Sequence, residues 1–552
     1  MPPTPLPNEV FLHILKNVSH SDLLNVATTN RALSGLARTE LFANVSFVPY
    51  EVVYPPQSAY EEAASAGRAM PLPSLKPLPA AQADDLRAKL EFCASNAIAA
   101  LVRRLYIGSV AWKRVDWGSP VSFDYANAAS VEEDAELHVL RDLAVAVMPR
   151  LAGMREFAAA GIALPNNLLS ALEGHSQRCD RGIDLRIMSC SVPWISADEE
   201  RRHHLAILPP AFNLRVRRLT LTAPPARAIP AIQQNVAQII AAWLRLVDRG
   251  YCVQLSLPEV RIDNLASLPG LPNVLHLDVD LTPIYTGTTA VTTDPNAPVL
   301  ARLEALASRF PNVQFLKIWV PGLEELPLPR DDPLFPALKE YCGPLGPIPL
   351  LLTDASAPLQ RLEILGDALP ADYVQAFGSL SPHVLKDVRA LNLPLRVGVR
   401  QGAEPETIQR LFALFPGAKS LDLRFRVSVG MQWERYQLLR DLYDVFPSLL
   451  PTHGLKRLSI RTITETVMKP ARRGMYPLFD TQPLRDGMIA HCTDLESIRI
   501  LECTFYLNWD RPAAGTQTEV WSGEDATFSV DPLDQSELYR RYPWERAKFP
   551  GL

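Results

Sequence analysis

The sequence lacks the features that usually mark metal-binding, secreted and membrane-spanning chains. Its 552 residues hold seven cysteines and no C-x-x-C pair, which gives no support to a zinc ribbon or a dithiol redox site. No basic segment followed by an apolar one stands at the N-terminus, and no uninterrupted apolar run approaches the ~18–20 residues of a membrane span. Because scattered, odd-numbered cysteines suit a reducing compartment, we expect a soluble chain of the cytoplasm or nucleus.

An excess of positive charge and catalytic motifs are also missing. The net charge of −5 and the pI of about 6.1 argue against a general nucleic-acid binder. There is no P-loop, G-x-S-x-G or H-E-x-x-H motif. We interpret His203-His204, which lie among charged residues, as a solvated segment, and Cys503 as a buried repeat residue rather than a metal ligand with His491 and Cys492. We therefore expect a non-catalytic protein with no cofactor and no metal.

Apolar residues and prolines, by contrast, are abundant. Residues of hydrophobic type make up 47% of the chain, which at this length is enough for more than one domain. The 50 prolines are about twice the average usage and indicate many boundaries between loops and regular elements.

The stretch from Leu6 to Phe42 has the pattern of three short amphipathic helices. Pro7 suits a first helical turn, and Asn30 can cap the third helix. The apolar positions that recur at helical spacing are Val10, Ile14, Val18, Leu23, Leu24, Leu33 and Leu36. Helices this short bury little surface alone, so they either begin a larger helical domain or form a separate module that packs on another surface. The proline- and alanine-rich segment that follows favours a separate module.

The pattern L-P-x-E-V-x-x-x-I-L, followed by D-L-L, resembles an F-box, the module that docks a protein onto the Skp adaptor of cullin-type ubiquitin ligases. The sequence departs from the family at Thr28 and Leu33, where a hydrophobic residue and a tryptophan are common. The resemblance implies a Skp-type adaptor and, through it, a cullin as partners. The adaptor-binding residues that it implies are Leu6, Pro7, Val10, Ile14, Leu15, Leu23, Leu24, Leu33 and Leu36.

A second pattern, which we term the frame, spans six residues with apolar side chains at the first, fourth and sixth positions. Copies begin at residues 102, 216, 274, 313, 359, 388, 418, 455 and 495, with a weaker copy at 154. Each copy predicts a short strand, and helical stretches such as Glu406–Phe415 and Trp433–Phe446 lie between copies. The frame resembles the L-x-x-L-x-L core of leucine-rich repeats, which implies parallel strands on a concave face and helices on a convex face.

The spacing of the copies is irregular. Leu362 and Leu391 are 29 residues apart, whereas Leu219 and Leu277 are 58 apart. An ordinary α/β domain with a parallel sheet would also alternate strand and helix, but nine copies of one frame favour a distorted solenoid with insertions. The combination resembles F-box proteins of fungal type.

We predict an α/β fold in which a three-helix F-box precedes an irregular leucine-rich-repeat solenoid. Two insertions, a polar one at 282–298 and a proline-rich one at 321–350, are either surface loops without a function or loops that shape a binding site. The predicted segments are an F-box module at 1–46, a Pro/Ala-rich linker at 47–83, the solenoid at 84–507 and a C-terminal aromatic tail or cap at 508–552.

Client binding is expected on the concave face, where the later copies carry arginines. Arginine forks suit carboxylates and phosphates, so we hypothesise that an acidic or phosphorylated segment binds there. The candidate client-binding residues are Trp319, Arg424, Arg457, Arg461 and Arg499. Alternatively, these arginines are solvated strand residues paired with local acids.

The function implied by the resemblance is that of the substrate-recognition subunit of an SCF-type (Skp–cullin–F-box) ubiquitin ligase. Such a receptor performs no chemistry and acts by holding its client near the ubiquitin-charged enzyme. Nucleic acid and membranes are not expected as partners. The alternatives are an interaction scaffold without a role in ubiquitination and an enzyme built on the solenoid, which no motif supports.

Overall fold

The structure is a computed structural model with two compact units, Met1–Val274 with Gly551–Leu552, and Leu275–Pro550. The residues that it describes are 11, 14–15, 18, 20–29, 31–53, 56, 58–59, 62, 65–66, 74–108, 135–160, 162, 164–188, 190, 212–222, 240, 242–261, 269–281, 297–320, 332–353, 355–398, 405–428, 432–451, 453–464, 481–501, 506–511 and 521–523.

The first unit contains an open parallel sheet and, among its described residues, five α-helices of ten residues or more. Its strands are β1 Asn44–Phe47, β2 Tyr50–Val53, β3 Ser74–Pro77, β4 Arg104–Gly108, β5 Glu156–Ala160, β6 Ile183–Met188, β7 Val216–Thr222 and β8 Gln254–Arg261. Its helices are α1 His20–Thr29, α2 Arg31–Leu41, α3 Ala80–Cys93, α4 Ala135–Val147 and α5 Asn166–Arg178. The parallel sheet runs in the order β1-β4-β5-β6-β7-β8, and β2 and β3 form a separate antiparallel pair.

The second unit repeats the same alternation of strand and helix. Its strands are β9 His276–Asp280, β10 Phe315–Trp319, β11 Glu340–Gly343, β12 Arg361–Ile364, β13 Ala390–Gly398, β14 Ser420–Ser428, β15 Arg457–Thr464, β16 Ser497–Leu501, β17 Tyr506–Asp510 and β18 Trp521–Gly523. Its helices are α6 Ala297–Arg309, α7 Ile348–Leu351, α8 Pro370–Gly378, α9 Pro382–Leu385, α10 Pro405–Ala413, α11 Gln432–Leu449 and α12 Thr481–His491. Strands β9 to β16 pair in parallel in chain order, and β17 and β18 are antiparallel.

The frame positions form the core. On β14, Leu421, Leu423 and Phe425 are buried, and the ring of Phe425 lies 6.0 Å from that of Phe446 on α11. Every copy predicted from the sequence likewise coincides with a strand and buries all three apolar side chains. Burial of one such side chain stabilises the fold by about 1.5–3 kcal/mol. In the second unit the alternate residues occupy the opposite side of the sheet, which we term the polar face, whereas in the first unit Tyr106, Ala158, Ala160 and Met188 form a buried apolar cluster at the alternate positions.

Four of the parallel strands, β1, β6, β8 and β11, were not predicted, nor were the antiparallel strands β2, β3, β17 and β18. Strand β1 lies in the stretch Phe42-Ala-Asn-Val45-Ser-Phe47, which fits the frame. This stretch directly follows the helices that resemble an F-box, and it was not recognised as a copy. Strand β6 has Gly182 at the first frame position, because Gly182 has a φ of +70° and its Cβ would lie 2.3 Å from the carbonyl oxygen of Arg215.

The other two missed parallel strands explain the irregular spacing. Strand β8 lies between Leu219 and Leu277, so that the long interval holds two repeats. Strand β11 lies within the proline-rich stretch 321–350 and ends at Gly343. A Cβ at Gly343 would lie 2.7 Å from the Ile318 side chain, so an apolar residue does not fit at the sixth position.

The predicted N-terminal helices are described in part. Helices α1 and α2 correspond to the second and third, whereas most of the first lies outside the described residues. The segment 47–83, predicted as a linker, contributes β2, β3 and the start of α3. The insertion 282–298 and most of the aromatic tail also lie outside the described residues, although Trp509 on β17 is buried. None of the described helices has the length and apolar character needed to cross a membrane.

Candidate functional site

The N-terminal helices divide their apolar side chains between an interior and an exposed surface. Leu15 and Leu23 are 4% and 6% exposed, whereas Ile14 and Leu24 are 48% and 51% exposed. Of the other predicted adaptor-binding residues, Leu33 and Leu36 on α2 are half-buried, and Leu6, Pro7 and Val10 lie outside the described residues. Among the described members of the predicted adaptor-binding set, Leu15 and Leu23 therefore belong to the interior, whereas Ile14 and Leu24 remain open to contact.

A short, well-packed connection joins these helices to the repeats of the first unit. Only two residues separate the end of α2 from the start of β1. The carbonyl of one of them, Ala43, accepts hydrogen bonds of 2.9 Å from the N–H groups of both Arg103 and Arg104. The rings of Phe42 and Phe92 on α3 lie 5.8 Å apart in an edge-on arrangement. Helix α2 is therefore fixed to the sheet by backbone and side-chain contacts rather than through a free linker.

The polar face of the second unit carries charged side chains that pair mostly with one another. Asp278 and Lys317 are register partners with Nζ and Oδ2 3.1 Å apart. Asn392 donates to Oε1 of Glu363 at 3.2 Å, and an NH2 group of Arg424 lies 3.9 Å from the same oxygen. Acidic and basic groups of this face therefore contact one another, as expected if they are strand residues paired with local acids.

Sequence reasoning missed a carboxylate held by two arginines. Asp367 follows Gly366, whose φ is +82°, in the loop after β12. It accepts hydrogen bonds of 2.7 Å from Nε of Arg396 and NH1 of Arg426. Burial opposes ionisation of Asp367, but the two hydrogen bonds outweigh it and hold the pKa of the carboxyl below its ordinary value. Because Asp367 lies outside the frame, no sequence pattern pointed to it.

The five predicted client-binding residues do not converge on one spot. Arg424 and Arg461 are register partners on β14 and β15, whereas Arg457 lies at the other end of β15. Arg499 is engaged by both carboxylate oxygens of Asp510, at 2.7 and 2.8 Å, and by the carbonyl of Trp509. Trp319 is 50% exposed but lies on β10, four strands from β14, or about 19 Å at the usual strand spacing.

Cys342 and Cys492, two thiols of the described part of the chain, are buried. Cys342 lies on the polar face between Lys317 and Glu363, and burial together with the Glu363 charge raises the pKa of its thiol to about 12. Nε2–H of His491 donates to the Leu450 carbonyl oxygen, 2.9 Å away, and the thiol of Cys492 donates to the Pro451 carbonyl oxygen. Within the described ranges, no three His, Cys, Asp or Glu side chains are grouped to hold a metal ion. His203, His204 and Cys503 lie outside those ranges.

Comparison with known proteins places one family on the chain. The F-box-like family model matches residues 5–48, and no curated protein matches the chain. Among solved structures, the chain is similar to a protein from Bacteroides fragilis at 9% identity and a TM-score of 0.23, over 69% of this chain and 72% of that one. A likeness at that score carries no argument, and the architecture rests on the strands and helices described above. The match spans α1, α2 and β1, and residues 5–48 are therefore an F-box-like domain.

Proposed function

We propose that this protein is the substrate-recognition subunit of an SCF-type ubiquitin ligase, of the fungal class that joins an F-box to irregular leucine-rich repeats. The observation that carries the proposal is the F-box-like match at residues 5–48. The exposure of Ile14 and Leu24 on helices that bury Leu15 and Leu23 supports it, because docking onto an adaptor needs apolar side chains that the free chain leaves uncovered.

The proposed mechanism is proximity without catalysis. The F-box-like domain binds a Skp-type adaptor and through it a cullin, in the cytoplasm or nucleus, and the repeats bind the client. The contacts of Ala43 with Arg103 and Arg104 support this division of roles, because they hold the adaptor-binding helices in a fixed orientation to strand β4 of the same unit. A fixed orientation raises the effective concentration of client lysines at the ubiquitin-charged enzyme.

The test is recovery of the Skp-type adaptor and the cullin by the full chain and by an Ile14→Ala, Leu24→Ala double variant. We expect the variant to bind the adaptor about 100-fold more weakly, which is a loss of about 2.8 kcal/mol. A matched control is Val53→Ala, Val139→Ala, which trims two apolar side chains that are 41% and 42% exposed elsewhere in the first unit. We expect the control to bind normally, and all three proteins to unfold at the same temperature.

No adaptor recovery by the wild-type chain would overturn the proposal. Adaptor recovery without any client whose turnover depends on Ile14 and Leu24 would instead favour an interaction scaffold.

A further inference from the structure

Basic side chains line the N-terminal ends of the parallel strands in the second unit. Lys339, Arg389, Lys419 and Lys456 each occupy the second frame position, directly before β11, β13, β14 and β15. We term these four residues the basic rim. Arg389, Lys419 and Lys456 are exposed, and Lys339 is half-buried. The repeat therefore places positive charge at the same end of several strands.

The same frame position is basic at three strands of the first unit, β4, β5 and β7. There it holds Arg103, Arg155 and Arg217, all of them exposed. An apolar core does not require a cation at this position, so its recurrence in both units is a property of the repeat surface.

Backbone hydrogen bonds fix the spacing of the basic rim. The carbonyl of Arg389 accepts from the N–H groups of Lys419 and Ser420, both at 2.9 Å, and the carbonyl of Lys419 accepts from Lys456 at 2.9 Å and Arg457 at 3.0 Å. Neighbouring strands lie about 4.8 Å apart, so the three charges from Arg389 to Lys456 extend over about 10 Å. Because these backbone groups satisfy one another, a ligand meets the basic side chains rather than the backbone.

The centre of the basic rim has no acidic partner in the part of the chain that the structure describes. The side chains of Arg389 and Lys419 make no hydrogen bond or ion pair with any described residue. Partners occur at the two ends of the rim, where Nζ of Lys339 donates to the amide oxygen Oε1 of Gln314 at 3.2 Å and Nζ of Lys456 donates to Oε1 of Glu496 at 2.6 Å. The exposed Asp387 lies beside the equally exposed Lys386, so the rim retains a net positive charge.

We propose that the basic rim docks a short acidic segment of a protein partner. In an extended peptide each residue advances about 3.3 Å and successive side chains face opposite sides, so a segment of about four acidic residues spans the rim and turns alternate carboxylates toward it. The proposal rests on the proposed function in one respect, namely that the partner is the client of the ligase.

Two observations favour an acidic peptide over nucleic acid. The rim stops at the carboxylate of Glu496, and about 10 Å is too short for the roughly 6–10 phosphate contacts of a typical DNA-binding surface. Base stacking needs exposed aromatic rings, and Trp319, the exposed tryptophan among the described residues of this unit, lies at the opposite end of its strand.

The test measures binding of a fluorescein-labelled peptide of six glutamates to the full chain by fluorescence anisotropy. Arg389→Glu, Lys419→Glu is the test variant. The matched control is Arg410→Glu, Arg440→Glu, which makes the same charge change at exposed positions of α10 and α11. We expect the test variant to bind at least about tenfold more weakly and the control to bind within about twofold of the wild type. Urea unfolding verifies that both variants are folded.

Equal losses in the two variants would show that only net charge matters and would overturn the proposal, as would no peptide binding by the wild type. A single-stranded DNA of equal charge that binds more tightly than the peptide, and depends on the same two residues, would assign the rim to nucleic acid instead. Adaptor recovery is measured on the same proteins, and we expect Arg389→Glu, Lys419→Glu to retain it. Loss of peptide binding with adaptor binding intact therefore concerns the rim and not the proposed receptor function.

Discussion

Arg426 donates a hydrogen bond of 2.7 Å to Asp367, 59 residues earlier in the sequence. Asp367 lies in the loop after β12, and Arg426 lies on β14, two strands away. The intervening strand supplies Arg396, the register partner of Arg426, which donates to the other carboxylate oxygen. Since two arginines side by side would repel each other, the carboxylate holds the three neighbouring segments together.

Removing this charge is expected to destabilise the second unit. In Asp367→Asn the two guanidinium groups lose their anion, and we expect the free energy of unfolding at pH 7 to fall by about 1–2 kcal/mol. The side chains of Arg396 and Arg426 are 51% and 42% exposed, so solvent screening keeps the loss below that of a buried ion pair. Urea unfolding of the purified chain measures it.

The same variant tests the pH dependence of the interaction. Because the folded-state pKa of Asp367 is below its ordinary value of 3.8, its charge adds stability above that pH, and this stability is lost as the pH falls through the folded-state pKa. The difference between wild type and Asp367→Asn should therefore be constant from pH 7 to pH 5 and shrink below pH 4. Asp444→Asn, at an exposed position of α11, is the control and should show no such difference. A difference that grows on acidification would contradict the assignment.

The repeat core could be predicted from the sequence because burial requires apolar residues at the same three frame positions of every copy. The frame at Ala418, Leu421 and Leu423 is one example, and all three side chains are buried. What could not be read was a strand whose first position must be glycine, as at Gly182, where a neighbouring carbonyl occupies the space of a side chain. Such a constraint comes from the adjacent repeat and removes the apolar residue from the first frame position, although Leu185 and Ile187 keep the other two.

Gly417 offers a test of this kind of backbone contact. Its Cβ would lie 2.2 Å from the carbonyl oxygen of Lys386, and a backbone atom cannot move aside as a flexible side chain would. We expect Gly417→Ala to lower the free energy of unfolding by more than about 2 kcal/mol. Gly378, at the end of α8, has nothing within 4 Å of its Cβ position, so Gly378→Ala should leave stability unchanged or raise it by up to about 1 kcal/mol. Equal effects in thermal unfolding would contradict the prediction.

The adaptor-binding and client-binding residues were harder to predict from the sequence than the core. The sequence placed Leu15 and Leu24 together in the adaptor-binding set, yet one is buried and the other exposed. Helical spacing gives the apolar face but not which part of that face the chain itself covers. The prediction of client-binding arginines was limited in the same way, because the sequence did not show which arginines the chain itself engages. Arg499, for example, is bound by Asp510, which lies on an antiparallel strand outside the frame.

His175 on α5 is expected to make stability depend on pH near neutrality. It is 2% exposed, and Nε2 lies 3.1 Å from the Met154 carbonyl oxygen. Burial lowers the pKa of the imidazole from its ordinary value of 6.5, and the hydrogen bond to Met154 only partly opposes this. Below pH 6.5 the unfolded chain takes up a proton that the folded chain resists, so stability falls with the pH by up to about 1.4 kcal/mol per unit.

Thermal unfolding between pH 7.5 and 5.5 measures this effect. The wild type should lose stability below pH 6.5, and His175→Gln should show a smaller loss over the same interval. His453→Gln, at an exposed position before β15, should follow the wild type. A pH dependence that His175→Gln leaves unchanged would assign it to other groups.

The buried thiols are expected to resist alkylation in the folded chain. Burial raises the pKa values of Cys252 and Cys342 to about 12, whereas an unfolded cysteine titrates near 8.5. Because only the thiolate reacts, iodoacetamide at pH 8 should label these two residues at least about 1000-fold more slowly in the native chain than in urea, as measured by peptide mass spectrometry. Stoichiometric labelling of Cys342 within minutes under native conditions would show that the polar face exposes a reactive thiolate between Lys317 and Glu363, and would reopen the question of chemistry on this surface.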